Sequence, residues 1–173
     1  MLMHTYKRIA IIGSAGAGKS VLAKQLQELT KLPLYHLDQY FWKPNWTHPD
    51  LAKYKIVHDE LCDKDIWIIE GMNLSVMMYR LFRADCIIFL DIPRYQSFWR
   101  IFKRVWRYYG TQTPSSAPNC SERINKKFLQ FLWWVWKSKH SYMPRVRRLL
   151  EMFEGEKPIY ILKSQKEIDQ FTL

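Results

Sequence analysis

Apolar residues fall into two kinds of pattern along this chain. Short unbroken runs occur at Arg8–Ile12, Leu34–Leu37, Ile66–Ile69, Cys86–Leu90 and Pro158–Leu162. They show no polar alternation, and parallel strands covered by helices on both faces have this pattern. Between the runs the spacing turns helical. Leu22, Leu26 and Leu29 share a face in Val21–Thr30, and Pro33 closes that helix. Thr47 and Asp50 are spaced as a capping signal for a helix reaching about Cys62. Helices are also predicted by Phe98, Ile101, Phe102, Val105 and Tyr109, by Ile124, Phe128, Phe131 and Val135, and over Arg145–Phe153. Ser164 with Glu167 resembles a capping box that opens a last helix. Tyr40 to Trp46 reads as an aromatic loop, and Gly110–Cys120, with Pro114 and Pro118, as a turn-rich segment. Strands alternating with helices predict one three-layer α/β/α domain of about five parallel strands over residues 1–173. Residues 94–148 enter it as helices between the fourth and fifth strands.

Composition sharpens this in two ways. The chain has 173 residues, 48% of them hydrophobic and 25% charged, which excludes a disordered chain. No apolar run approaches the roughly 18 residues of a spanning helix, and Met1 to Arg8 carry no apolar leader, so secretion is not expected. Cys62, Cys86 and Cys120 stand far apart with no CxxC, which argues against a zinc site or disulfide framework and fits a cytoplasmic protein. The net charge of +11 is concentrated: residues 94–148 hold thirteen Lys and Arg against one acid, Glu122. Such a local field attracts polyanions, either the phosphates of a nucleotide or DNA or RNA.

The clearest chemistry follows the first strand. Gly13-Ser14-Ala15-Gly16-Ala17-Gly18-Lys19-Ser20 matches the phosphate-binding loop GxxxxGK[ST], placed between a strand and a helix as that motif requires. Glycines and small residues let backbone N–H groups wrap a phosphate, and the helix start adds its positive dipole end. Residues Gly13 through Val21 are thus candidates to bind ATP. Lys19 is placed to bridge phosphates as a point charge, and the Ser20 hydroxyl to ligate Mg²⁺. Such sites add an acid at the end of another strand. Glu70 is the favoured second Mg²⁺ ligand, Asp91 reads as a cap of the following helix, and Asp38 reads as a substrate ligand. Asn73, Tyr40 and Trp42 join Asp38 and Glu70 as candidate acceptor contacts, although Tyr40–Trp46 reads equally as a packed loop.

Arg100, Lys103, Arg104 and Arg107 lie at i, i+3, i+4 and i+7 and form one stripe opposite Phe98, Ile101, Phe102 and Val105. Arg123 and Lys127 form a smaller stripe. Arginines there can neutralise a migrating phosphoryl group, and a hinged helical lid can exclude water. Lys137, Lys139, Arg145, Arg147 and Arg148 lie too far along to share one nucleotide and read as solvated, or as binding another anion. Trp133, Trp134 and Trp136 read as helix packing rather than base stacking.

Taken together, the phosphate loop, His36-Leu37-Asp38, the aromatic loop, Ile68–Asn73, Phe89–Pro93 and Leu162–Ser164 resemble the adenylate-kinase-like proteins described as DNA topology modulation (FlaR-related) proteins. The likeness runs over nearly the whole chain. It implies the nucleoside-monophosphate-kinase form of the P-loop NTPase fold, with strand order 2-3-1-4-5 and a lid after the fourth strand. It also implies that Glu70 assists Mg²⁺, that Arg100 and Arg104 act as lid arginines, and that Ser164 lies where such folds line the adenine. Where adenylate kinases carry Asp-Gly-Phe-Pro-Arg, this chain reads Glu70-Gly71-Met72-Asn73-Leu74 and lacks the arginine that clamps a monophosphate acceptor.

The expectation is an ATP- and Mg²⁺-dependent kinase of a small molecule. Lys19, Arg100, Arg104 and Arg123 would stabilise the phosphoryl group, and Asp38 would bind or deprotonate an acceptor hydroxyl. The alternatives are a nucleotide-dependent DNA- or RNA-binding protein and a P-loop regulator that binds ATP without turnover.

Overall fold

The computed structural model describes residues 5–171; residues 1–4 and 172–173, and with them both ends of the expected domain, lie outside it, as does the Lys139 side chain. Five parallel strands form one sheet: β1 (Arg8–Gly13), β2 (Leu34–His36), β3 (Trp67–Glu70), β4 (Cys86–Leu90) and β5 (Ile159–Leu162). Their order is β2-β3-β1-β4-β5, as expected. The helices are α1 (Lys19–Thr30), α2 (Leu37–Phe41), α3 (Leu51–Cys62), α4 (Leu74–Arg83), α5 (Arg94–Arg107), α6 (Lys126–Ser141), α7 (Met143–Glu151) and α8 (Gln165–Phe171).

The unbroken apolar strands have the predicted cause. Ile9 and Ile11 face α1 and α8 with Leu22, Leu26, Ile168 and Phe171, while Ala10 and Ile12 face α3, α4 and α7 with Leu61, Met77, Leu81 and Val146. Both faces are therefore dry. A third apolar cluster, Ile101, Val105, Phe128, Leu132 and Val135, joins α5 to α6 and makes the lid a packed helix pair. No helix among the described residues is long and apolar enough to cross a membrane.

Several elements differ from the pattern reading. The start of the aromatic loop is the short helix α2. The α3 N-cap is Asp50, whose carboxylate accepts from Ala52 N and Lys53 N; Thr47 instead closes a tight turn by donating to Pro44 O. Helix α4 had no counterpart in the pattern. Leu29, Phe102 and Tyr109 are exposed, not core. The Ser164–Glu167 box is present, with Ser164 Oγ donating to Glu167 and accepting from its N–H.

His58 of α3 is fully buried, its Nδ1 at 2.9 Å from Asp59 Oδ1. Burial lowers its pKa, and Asp59 only partly opposes this. The unfolded chain takes up the proton near the ordinary imidazole value of about 6.5, the folded chain only at lower pH. This stability is full above that value and lost as pH falls through it. The urea midpoint is expected to drop between about pH 7 and about pH 5.5, and His58→Gln to flatten that slope. Equal slopes in both proteins would contradict it.

Candidate functional site

The parallel register brings the carboxyl ends of four strands to one edge: Ile11 pairs with Glu70, His36 with Glu70, and Gly13 with Leu90. The loop after β1 opens there. Gly16, at φ +75°, lies against α5: a Cβ would fall 2.5 Å from Ser97 O and 2.9 Å from Ile101 Cγ1. Gly13, at φ +148°, leaves no room beside Leu90 O at 2.6 Å. The loop is thus a close-packed backbone cradle that side chains would fill. It feeds α1, whose first turn carries no acid and whose N-cap, Gly18, offers no side-chain cap. Among the described residues no side chain caps the N–H groups of that turn, which suits them to an anion. Gly16→Ala is expected to destabilise the fold by roughly 1–3 kcal/mol, because it adds backbone strain to the collision. Thermal unfolding checks this, and an unchanged midpoint would contradict the tight packing.

Three charged groups meet beneath the cradle. Glu70 is buried at the end of β3, and its Oε1 accepts from Ser20 Oγ at 2.9 Å and from His36 Nδ1 at 2.7 Å. Burial opposes its charge, but the His36 hydrogen bond, Lys19 and Ser20 outweigh burial and hold Glu70 below its ordinary pKa. An ionised carboxylate only accepts, so His36 carries its proton on Nδ1. Lys19 Nζ donates to Ser14 O at 3.0 Å. Burial lowers the pKa of Lys19, while Glu70 and Asp38 support its charge. Asp38, on the first turn of α2, is exposed at the same end of the sheet. Desolvation by the cleft, then repulsion from Glu70, raises its pKa against the pull of Lys19. Two acids at the carboxyl edge of the sheet are thus pushed in opposite directions.

The site fits Mg²⁺. Among the described residues no three His, Cys, Asp or Glu form a ready-made cage. Ser20 and Glu70 instead offer two oxygens beside the phosphate cradle, and Mg²⁺ takes few protein ligands together with phosphates and water.

The other candidates divide. Arg100 crosses the cradle: its Nη1 donates to Ala17 O at 2.8 Å and its Nη2 to Gln165 Oε1 at 2.6 Å, which ties the loop to the start of α8. Arg104 makes a 2.9 Å ion pair with buried Glu122. Arg123 is exposed ahead of α6, and no ion pair among the described residues ties it to the cradle. Asp91 does not cap α5; it pairs with Arg147 of α7, which is therefore not free. Asn73 caps α4, accepting from Ser75 N at 3.1 Å, and Ser164 caps α8. Tyr40 is exposed, whereas Trp42 packs edge-on against Phe41 and Trp46.

The turn-rich segment is sewn to the aromatic loop. Gln39 donates to Pro114 O, Asn45 N to Asn119 O, Trp46 Nε1 to Ser121 O, and Lys127 Nζ to Asn45 O. The lid thus reaches over the Asp38 side of the cleft.

Two residues here had escaped the sequence reading. His36 was visible as a titratable group at a strand end. Arg80 of α4 is fully buried, with Nη2 donating to Gly71 O at 3.0 Å, so it braces the turn that follows Glu70.

No protein-family model and no curated protein matches the chain. Solved structures do. A shikimate kinase from Acinetobacter baumannii, solved with shikimate, superposes with a TM-score of 0.62 at 15% identity, over 98% of this chain and 90% of that one. A gluconokinase from Sinorhizobium meliloti gives 0.54 at 14%, over 96% and 87%. A sugar kinase from Janibacter gives 0.53 at 13%, over 95% and 91%. This chain has the P-loop kinase fold. The comparisons do not reach the narrower likeness to DNA topology modulation proteins.

Proposed function

We propose that this protein is an ATP- and Mg²⁺-dependent kinase that phosphorylates a hydroxyl group of a small molecule. The observation that carries the reading is the Ser20–Glu70 contact beneath a glycine cradle, with Lys19 and a second, differently poised acid, Asp38, in the same charge field. The P-loop kinase fold supports it.

The backbone of residues 13–20 would hold the triphosphate, and Ser20 with Glu70 would hold Mg²⁺. When bound, the metal supplies charge neutralisation and orientation of the phosphates. Lys19 faces the charge that grows on the transferred group, and Arg100 and Arg104 reach the same side from α5. Asp38 accepts the acceptor's hydroxyl proton as the oxygen attacks phosphorus and the bond to the departing diphosphate breaks. The sewn turn-rich segment borders this side of the site. A hydroxyl acceptor suits this cleft because Asp38 can serve as base and the monophosphate-clamp arginine of adenylate kinases has no counterpart after Glu70.

An ADP-release screen over nucleosides, nucleoside monophosphates, sugars and hydroxy acids tests the reading. Turnover with a hydroxyl compound is expected. Tight ATP binding without turnover on any of them would favour a regulator instead.

A further inference from the structure

Helix α5 has three distinct sides. Ser97, Ile101 and Val105 are buried, and Ser97 and Ile101 press on the phosphate loop. Arg100 and Arg104 form the second side and make the contacts described above. The third side, turned away from the cradle, carries Tyr95, Trp99, Phe102 and Trp106 at i, i+4, i+7 and i+11. All four are exposed, Trp99 at 71% and Trp106 at 85%. Nothing in the proposed reaction uses this stripe. Helix α6 repeats it with exposed Leu129, Trp133 and Trp136; Trp134 and Trp136 still make the expected ring contacts, with Phe131, Tyr142 and Phe98, while Trp133 is the most exposed of the three. The edge-on pairs Phe102–Phe128 and Phe98–Trp136, at 5.9 and 5.5 Å, link the two stripes through the buried Phe128 and the half-buried Phe98 at the seam between the helices.

Cations border the stripes. Lys103 and Arg107 flank them on α5, and Lys126 flanks them on α6, all exposed. Lys137 Nζ stands 4.8 Å over the Trp133 ring, and Arg94 Cζ 4.2 Å over Trp136. The one acid of residues 94–148, Glu122, is buried against Arg104, so no carboxylate from this stretch faces solvent. An exposed aromatic patch marks an interaction site, and this one calls for an anionic partner. A second copy is disfavoured, since apposing two such faces sets cations against cations. Single-stranded nucleic acid is bound in grooves where bases stack in succession, whereas these stripes lie on the outward side of a helix pair. Exposed indoles beside Lys and Arg on an amphipathic helix match the boundary of an anionic bilayer, where the rings enter the headgroup layer and the cations meet phosphates.

We infer that the outer face of α5 and α6 docks the protein peripherally on anionic phospholipid membranes. Sedimentation of the full chain with phosphatidylcholine vesicles, with and without about a third phosphatidylserine, tests this. Binding is expected to the mixed vesicles alone. The double variant Trp99→Ser/Trp106→Ser should bind roughly tenfold more weakly with unchanged circular dichroism and ATP affinity. Lys103→Gln and Arg107→Gln should each weaken binding roughly fivefold, less so in high salt. No sedimentation with mixed vesicles, or equal binding by the tryptophan variant, would overturn the inference. So would tryptophan-dependent binding of a single-stranded oligonucleotide, or tryptophan-dependent self-association in the ultracentrifuge, by a chain that ignores vesicles.

Discussion

Replacing Lys19 with alanine is expected to slow phosphoryl transfer by roughly 10²–10³-fold, the loss seen when one preorganised donor to developing charge is removed. Lys19 donates to Ser14 O within the loop that Gly13, Gly16 and Gly18 shape, and Glu70 and Asp38 support its charge. Its desolvation disfavours its own charge while its charge supports Glu70, so removing it has two opposing effects on stability and should leave the fold intact. The loss should therefore appear in the rate and in ATP affinity, not in the unfolding midpoint. ADP-release kinetics beside a thermal melt separates these. A variant with wild-type rate and affinity would mean that the cradle is not where the triphosphate sits.

Asp38→Asn should lower transfer by roughly 10²–10⁴-fold while ATP affinity changes by no more than about twofold, as expected for a residue that handles only the acceptor's proton. Asn keeps the shape and one acceptor oxygen but cannot take the proton. The pH profile supplies an independent readout. Asp38 acts as a base only when ionised, and desolvation by its surroundings together with Glu70 raises its pKa. The wild-type rate should therefore climb with pH along a limb displaced above the usual carboxylate range of about 4, and the limb should vanish in Asp38→Asn. An unchanged limb in the variant would assign the base elsewhere.

Much of this architecture was readable from the chain because its strands are dry on both faces and its glycines fall where side chains collide. The loop over Gly13–Ser20 came from its residue motif, and the acids at strand ends from position. What stayed hidden has specific causes. Helix α4 buries Val76, Met77, Arg80 and Leu81, and the charged residue in the middle of its apolar stripe masked the helical period. Helix α2 is five residues long, too short for any period to show. The lid helices carry apolar residues on two sides, and spacing cannot say which side a core will take. In α5 it took Ile101 and Val105 and left Phe102 outside. The His36–Glu70 contact joins residues 34 positions apart and depends on the β2–β3 register, which no local pattern reports.

Calorimetric titration of ATP into the full chain, with and without magnesium, bears most directly on whether residues 13–20 grip a triphosphate. Saturable one-site binding that tightens with magnesium and is lost on Lys19→Ala is expected. The absence of heat for ATP, and for GTP titrated in the same way, would contradict it.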